Sequence, residues 1–241
     1  MSLLGSLTLN WTGGILAAAL AAALFFTAKQ LTAQALLPES SLDGLIWVVP
    51  AGIVGAHLEI VAENWTYFSV HPVGIITPTI SAGAGVLGAV IAGSTAAFLF
   101  VRARRLPAGR YLDAGSFGLA LGLFVDALGQ LIAHEHWLPF ASPLVPSTSS
   151  TQAIADVIWT AGLLALLLAS ARRPLPAGLR CWITLLIVAA ASASSTLIAA
   201  RSNPGPPVGL PTVAILFGAI CLGGIAATLV RGRRANRQIA H

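Results

Sequence analysis

The sequence predicts an all-α integral membrane protein with seven transmembrane helices. Of its 241 residues, 56% are hydrophobic and only 9% are charged, and the mean hydropathy is +0.86, whereas an average soluble domain carries about 25% charged residues. The apolar runs have the length needed to cross a bilayer, about 20 residues. They lack the period-two alternation of barrel strands, so they are expected to form helices, whose backbone amides are paired internally.

Seven apolar runs are predicted to span the membrane, and they leave no linker that would divide residues 1–241 into separate domains. The predicted spans are 13–36, 44–63, 79–101, 112–133, 151–170, 179–200 and 211–230. The first run is too long for the apolar core of a signal peptide, and it lacks a preceding basic segment and a convincing cleavage site. We therefore expect it to remain as a helix.

The 13 basic residues predict the orientation of these spans. In the seven-span arrangement all of them except Arg201 fall on one side of the membrane: Lys29, Arg102, Arg104, Arg105, Arg110, Arg172, Arg173, Arg180, Arg231, Arg233, Arg234 and Arg237. The positive-inside rule places that side in the cytoplasm, which puts the amino terminus outside and the carboxyl terminus inside. The formal charge of +5 is explained by these clusters, and no nucleic-acid partner is expected.

Aromatic residues are concentrated in two segments on the predicted outer side. These segments, residues 64–78 and 134–150, contain neither Lys nor Arg. Their aromatic side chains suit the interface between lipid and water, and they are Trp65, Tyr67, Phe68, Trp137 and Phe140.

Five short motifs follow one another in the middle of the chain. They are G-A-H-L at 55–58, H-P at 71–72, G-V-L-G at 85–88, the basic run R-A-R-R-L-P-A-G-R-Y-L-D at 102–113, and a segment from L-G-Q at 128–130 to Glu135. Their order resembles the prolipoprotein diacylglyceryl transferases, bacterial enzymes that move diacylglycerol from phosphatidylglycerol to a lipobox cysteine. The corresponding family motifs are G-A-R-L, H-P, the end of H-G-G-L-I-G, a basic loop closing with L-D, and the start of G-R-x-G-N-F-x-N-G-E.

The resemblance implies a diacylglyceryl-transferase-like body in the bacterial inner membrane, with seven spans and a phospholipid partner such as phosphatidylglycerol. Several polar groups of the family are nevertheless replaced. Its H-G-G histidine, signature arginine and first signature asparagine fall at Gly83, Gln130 and Ala133, and matching its glutamate to Glu135 requires a gap. Its L-Y-E falls at Ala153-Ile154-Ala155 and its R-x-x-x-E at Ser194 and Ile198, which leaves the later arginine at Arg201.

These replacements remove groups that the transfer reaction depends on. A guanidinium pairs with phosphate oxygens and stays charged when desolvated, whereas a Gln side chain supplies no charge. One electrostatic donor is commonly worth a factor of about 10²–10³ in rate. We therefore expect a transferase-like scaffold whose catalytic site is largely dismantled.

Ionisable and polar residues at membrane depth are the candidates for what remains of a site, because burial in lipid makes them costly. The candidate remnants of a catalytic site are His57, Asp126, Gln130 and Glu135. The candidate lipid-binding residues are Gly85, Gly88, Gly129 and Gln130.

Each of these positions also has a structural interpretation. His57 and Glu59 point to different faces of a helix, and Glu59 can hydrogen-bond a neighbouring helix, whereas Glu59 and Glu63 share a face. An interhelical hydrogen bond would explain Asp126 equally well. The glycines of the third span, at 83, 85, 88 and 93, are more simply a close helix-packing face. Asp156 is expected in the first turn of the fifth span, where an acid suits the helix dipole.

His134, Glu135 and His136 form a possible metal-ligand cluster at the end of the fourth span. Imidazole and carboxylate are suitable ligands, but the H-E-x-x-H spacing of zinc enzymes is absent. A metal at His134 and His136 is therefore a secondary alternative, as is a haem or bacteriochlorophyll ligated by a histidine. No cofactor is expected.

Three functions remain open from the sequence. The first is a non-catalytic relative of the transferase that binds phospholipid or serves as an accessory subunit of a membrane complex. The second is a divergent active transferase with a rearranged site. The third is a pigment- or metal-binding subunit of a respiratory or photosynthetic complex.

Overall fold

The computed structural model describes residues 11–37, 39–76, 85–134, 150–202 and 210–239. These residues form seven long helices and two short ones, without a strand. The helices are α1 (Trp11–Ala33), α2 (Glu39–Glu63), α3 (Trp65–Phe68), α4 (Val73–Ile76), α5 (Val86–Ala103), α6 (Ala108–His134), α7 (Ser150–Ser170), α8 (Leu179–Ser202) and α9 (Leu210–Ile239).

The prediction of an all-α membrane protein is confirmed, since six of the described helices are long and apolar enough to cross a bilayer. Their apolar segments are Gly14–Ala33, Leu42–Glu63, Val86–Ala103, Ala108–Ile132, Ala153–Ser170 and Val213–Gly232. The apolar stretch described within α8, Leu179–Ser194, is shorter. A seventh span and the orientation in the membrane stay predictions.

Several helix boundaries differ from the predicted spans, with α9 ending at Ile239 rather than 230, and two of the differences have local reasons. The helix α1 ends at Ala33 rather than 36, because Ala35 has a φ of +55° and the Leu36 amide donates to the Leu31 carbonyl at 2.9 Å, which closes the helix. The helix α5 begins at Val86 after Gly85, whose φ is +85°. The predicted start of the third span at 79 lies outside the described residues.

Glycines allow α6 to pack closely against the alanine-rich α1. A Cβ at Gly122 would lie 3.0 Å from the Cβ of Ala23, and a Cβ at Gly129 would lie 2.6 Å from Cγ2 of Ile15. Gly118 likewise faces the backbone of Ala23. Small residues that bring two backbones together are a common basis of helix association in membranes, where lipid offers no hydrophobic driving force.

The helix α6 occupies the centre of the bundle, where it contacts α1, α7 and α8. The pair α2–α5 and the pair α8–α9 pack beside it. A buried apolar cluster joins α5, α6, α7, α8 and α9, and its members are Val90, Phe117, Ala120, Leu163, Leu167, Leu185, Val188 and Cys221.

The arginine-rich segments lie together at one end of the bundle. Arg104 contacts Asp43 at 3.6 Å, which brings the start of α2 to the end of α5. A Cβ at Gly109 would lie 2.8 Å from the carbonyl carbon of Ala177, and Gly232 of α9 packs against the same α7–α8 loop. These contacts place the α5–α6 loop, the α7–α8 loop and the end of α9 at the same end of the bundle, while the side of the membrane that they face stays a prediction. We call this the basic end, and the other the opposite end.

Candidate functional site at the opposite end

The G-A-H-L and G-V-L-G motifs meet where α2 crosses α5. A Cβ at Gly55 would lie 2.9 Å from the carbonyl carbon of Gly88, and a Cβ at Gly88 would lie 2.9 Å from that of Gly55. Gly85 caps α5 in the left-handed conformation, and a Cβ there would lie 2.8 Å from Cα of Ala56. The close-packing interpretation is confirmed for Gly85 and Gly88, whereas Gly83 lies outside the described residues.

Glu59 stabilises this crossing with a hydrogen bond between the two helices. Its Oε2 accepts the Gly88 N–H at 2.7 Å. Gly88 lies in the first turn of α5, where amides have no partner within the helix. A carboxylate at this position also interacts favourably with the positive end of the helix dipole. The predicted hydrogen bond from Glu59 to a neighbouring helix is therefore confirmed.

His57 lies on another face of α2, under the segment that contains α3 and α4. Its side chain is buried, with 8% of the residue exposed. The Nε2 atom lies 3.0 Å from the Ile75 carbonyl oxygen, and since a carbonyl accepts, Nε2 donates. The Phe68 ring meets the imidazole edge-on at 6.3 Å. Among the residues that the structure describes, the buried Nδ1 atom has no hydrogen-bond partner.

The segment over His57, residues 64–76, turns apolar side chains outward. Large exposed side chains are Trp65, Tyr67, Val70, Val73 and Ile76. Such side chains suit the boundary between headgroups and acyl chains. The prediction of an interfacial position was wrong for Phe68, which is buried because it packs against His57 and under Gly74.

Asp126 and Gln130 are paired along α6. The Gln130 amide Nε2 donates to Asp126 Oδ2 at 2.6 Å, so this hydrogen bond runs within one helix rather than between two. The Asp156 carboxylate of α7 is close enough to interact electrostatically with Asp126. Since α7 begins at Ser150, Asp156 lies beyond its first turn, and that prediction was wrong.

The candidate residues do not all come together in the described part of the chain. Gly129 packs against Ile15 of α1, and α2, which carries His57, packs mainly against α5. Glu135, His136 and the side chain of His134 lie outside the described residues. In the described ranges no three His, Cys, Asp or Glu side chains form a group that could hold a metal ion. The assigned lipid-binding and catalytic roles stay predictions.

In the sequence Asp113 was noted only as the last residue of the family-like basic run at 102–113, and its structural role was not predicted. It is 2% exposed, and its carboxylate accepts the Gly178 N–H at 2.8 Å and the Cys181 N–H at 2.9 Å. It therefore caps the start of α8 from α6. The available signal was a single acid that closes an otherwise basic run, in a helix predicted to be apolar.

Arg180 caps the end of α7, as Asp113 caps the start of α8. Its guanidinium donates to the carbonyl oxygens of Ser170 and Arg173, each at 2.9 Å. The last carbonyls of a helix lack partners within the helix. The hydrogen bonds of Arg180 thus stabilise the helix hairpin α7–α8 and are not directed at a ligand.

The six long apolar helices define a multi-pass, all-α membrane protein, and the family match and the bacterial relatives place it in the bacterial inner membrane. The family model for prolipoprotein diacylglyceryl transferase matches residues 1–193. The chain belongs to this family. The matched region ends before α9.

Curated relatives support the same membership. The chain is 31% identical over 132 residues to the phosphatidylglycerol–prolipoprotein diacylglyceryl transferase of Lactobacillus acidophilus, covering 55% of this chain and 47% of the relative. It is 30% identical over 145 residues to that of Lactococcus lactis, covering 56% and 55%. The chain thus spans about half the length of the curated relatives it matches. No solved structure matches it.

Proposed function

We propose that this chain is a non-catalytic, phospholipid-binding member of the transferase family that serves as an accessory subunit in the membrane. The observation that carries the proposal is the hydrogen bond that Gln130 makes. This residue stands where the resemblance places the signature arginine, and its amide is already bonded to Asp126 at 2.6 Å. The Asp126 carboxylate thus binds the neutral amide of Gln130, which stands where the family has a positively charged arginine.

A second position at which the family has an arginine also lacks a permanent positive charge in this chain. His57 stands where the family's G-A-R-L has its arginine, and it is buried and bonded to the Ile75 carbonyl. Phosphate is bound most strongly by groups that are permanently charged and present several donors. Neither Gln130 nor His57 presents such a group. Transfer of diacylglycerol also requires stabilisation of the leaving phosphate, so we infer that this chain lacks the activity.

The packing around two family-like motifs also supports the proposal. The crossing through Gly55 and Gly88 brings two family-like motifs together, and the exposed apolar residues of the segment 64–76 suit contact with lipid. The names of the curated relatives specify phosphatidylglycerol. We therefore propose phosphatidylglycerol as the bound lipid and a neighbouring membrane protein as the partner.

A transfer assay tests the proposal directly. The purified chain is mixed with phosphatidylglycerol and a lipobox peptide, and the thioether product is measured, with the Lactococcus lactis enzyme as the positive control. We expect no product from this chain but measurable phosphatidylglycerol binding. The variant Gln130→Arg should bind this lipid about tenfold more tightly, because a charge-assisted hydrogen bond is added. Appreciable thioether formation by the unaltered chain would refute the non-catalytic function.

A divergent active transferase is the second candidate, and the observation that favours it is the Nδ1 atom of His57, which has no partner among the residues that the structure describes. An imidazole nitrogen with a free lone pair can act as a general base. This candidate expects lipoprotein processing in cells to be lost in both His57→Ala and Glu135→Ala. Processing that persists in both variants would exclude it.

A further inference from the structure

In the part of the chain that the structure describes, the buried imidazole of His57 is hydrogen-bonded on one side only. Its Nε2 donates to the Ile75 carbonyl at 3.0 Å, and this bond selects the tautomer in which a neutral ring has its lone pair on Nδ1. That atom is buried and has no partner among the described residues. The ring is thus arranged to accept one more hydrogen bond at a defined position.

A structural role alone does not explain this arrangement. A buried acceptor without a partner costs free energy, and folded proteins pair nearly all such groups. A trapped water molecule needs two to four polar partners, but the described neighbour in ring contact with His57 is the apolar side chain of Phe68. A ligand that brings its own donor explains the unpaired nitrogen better.

We propose that Nδ1 of His57 accepts a hydrogen bond from a hydroxyl group of a polyol phospholipid headgroup. The inference rests on the proposed phospholipid-binding function and specifies how the headgroup is recognised. An arginine at this position would donate to phosphate oxygens, whereas this histidine tautomer accepts. Recognition at this point therefore depends on the hydroxyl groups of the headgroup rather than on its phosphate.

The chemistry around the ring favours a hydroxyl over an ammonium group. A hydroxyl is neutral and needs one acceptor for its proton, whereas an ammonium brings a charge that must be paired when buried. The nearest acid along α2, Glu59, is engaged with the Gly88 amide at 2.7 Å. The Phe68 ring beside His57 offers no charge.

The surroundings of His57 indicate a membrane lipid as the source of the hydroxyl. Residues 64–76 lie over the ring, and within that segment Trp65 is 60% exposed and Ile76 is 83% exposed. Large apolar side chains at this exposure suit the headgroup region of a bilayer. Because Nδ1 is buried, the proposed contact requires this segment to shift away from α2.

Two substitutions of His57 separate its two nitrogens. In His57→Gln the side-chain amide can reach the position of Nε2 and keep the bond to Ile75, while the acceptor at Nδ1 is lost. In His57→Asn the shorter amide places an acceptor near Nδ1 and gives up the Ile75 bond. His71→Gln is the matched control, because His71 is exposed and its Nδ1 lies 3.1 Å from the Tyr67 carbonyl oxygen.

Binding of two anionic lipids to the purified full chain in detergent, measured by native mass spectrometry, tests the proposal. Phosphatidylglycerol and phosphatidylmethanol carry the same charge, but only the first has headgroup hydroxyls. We expect the unaltered chain and His71→Gln to prefer phosphatidylglycerol by about fivefold to tenfold, the worth of one hydrogen bond. The preference should vanish in His57→Gln and persist in His57→Asn. Excess free glycerol should not displace the lipid.

The outcomes distinguish failure of the proposed hydroxyl contact from failure of the proposed phospholipid-binding function. If the unaltered chain binds neither lipid, the proposed phospholipid-binding function fails. If it binds both equally, or prefers phosphatidylmethanol, only the hydroxyl contact is overturned. A preference that survives in His57→Gln also overturns it. If His57→Gln does not fold, loss of the preference in His57→Asn overturns the proposal and its retention supports it.

Discussion

Carboxylates cap helix starts at both ends of this bundle, but the two ends differ in how completely their polar groups are paired. At the basic end, Asp113 accepts two backbone amides of the α8 start, at 2.8 and 2.9 Å, and Arg180 binds the carbonyls at the end of α7. At the opposite end, Glu59 accepts the Gly88 amide at 2.7 Å, yet the neighbouring His57 keeps a buried nitrogen without a described partner.

This difference separates structural polar groups from candidate binding groups. A buried polar network stabilises a fold when all its members are paired, whereas one left incomplete carries a free-energy cost. The groups around Asp113 need nothing from outside the chain. Among the described residues the Nδ1 atom of His57 is the buried side-chain atom without a partner, which is why the proposed site lies at the opposite end although most of the charges lie at the basic end.

The largest expected effect comes from the crossing of α2 with α5. In Gly88→Ala the new Cβ would lie 2.9 Å from the Gly55 carbonyl carbon, so the backbones must separate and the free energy of unfolding should fall by about 3 kcal/mol. Unfolding in detergent by heat or denaturant measures it. The control on the same helix is Gly93→Ala, whose Cβ would meet Val48 at an ordinary 3.5 Å. Equal effects of the two substitutions would contradict the close crossing.

Removing each of the two capping carboxylates should give the next largest loss of stability. The difference between the two losses tests the comparison between the two ends of the bundle. Asp113→Ala leaves two amides unpaired at a nearly fully buried position, so we expect a loss of about 2–3 kcal/mol. Glu59→Ala leaves the Gly88 amide unpaired at a partly buried position, and the expected loss is about 1 kcal/mol. A larger loss in Glu59→Ala would show that the opposite end is the better stabilised one.

The smallest effect is expected at the ion pair between Asp43 and Arg104. The two side chains are 56% and 63% exposed and their charged atoms are 3.6 Å apart. Solvent and salt screen such pairs, so Asp43→Ala should change the free energy of unfolding by less than about 0.5 kcal/mol. Unfolding at low and high salt provides the control. A loss above about 1 kcal/mol would mean that this contact supports the basic end together with Asp113.

Helix type and the grouping of the arginines could be predicted from the sequence because they depend on local composition. Long apolar runs must form helices in lipid, and this accounts for most ends of the long helices to within a few residues, whereas α5 begins at Val86 rather than 79 and α9 ends at Ile239 rather than 230. Two of the differences have backbone causes, such as the left-handed Ala35 that ends α1. Motif order likewise predicted the family, and two of its glycine-containing motifs lie where the backbones of α2 and α5 approach closely.

The partners of individual polar side chains depended on tertiary structure. The spacing of His57 and Glu59 shows that they face different ways, but not that one meets the Ile75 carbonyl and the other the Gly88 amide. Asp113 was overlooked because its partners, Gly178 and Cys181, lie more than sixty residues further along the chain. Local composition determines whether each stretch of chain forms a helix. The hydrogen-bond partners of buried polar groups are determined only where helices that are distant in the sequence pack together.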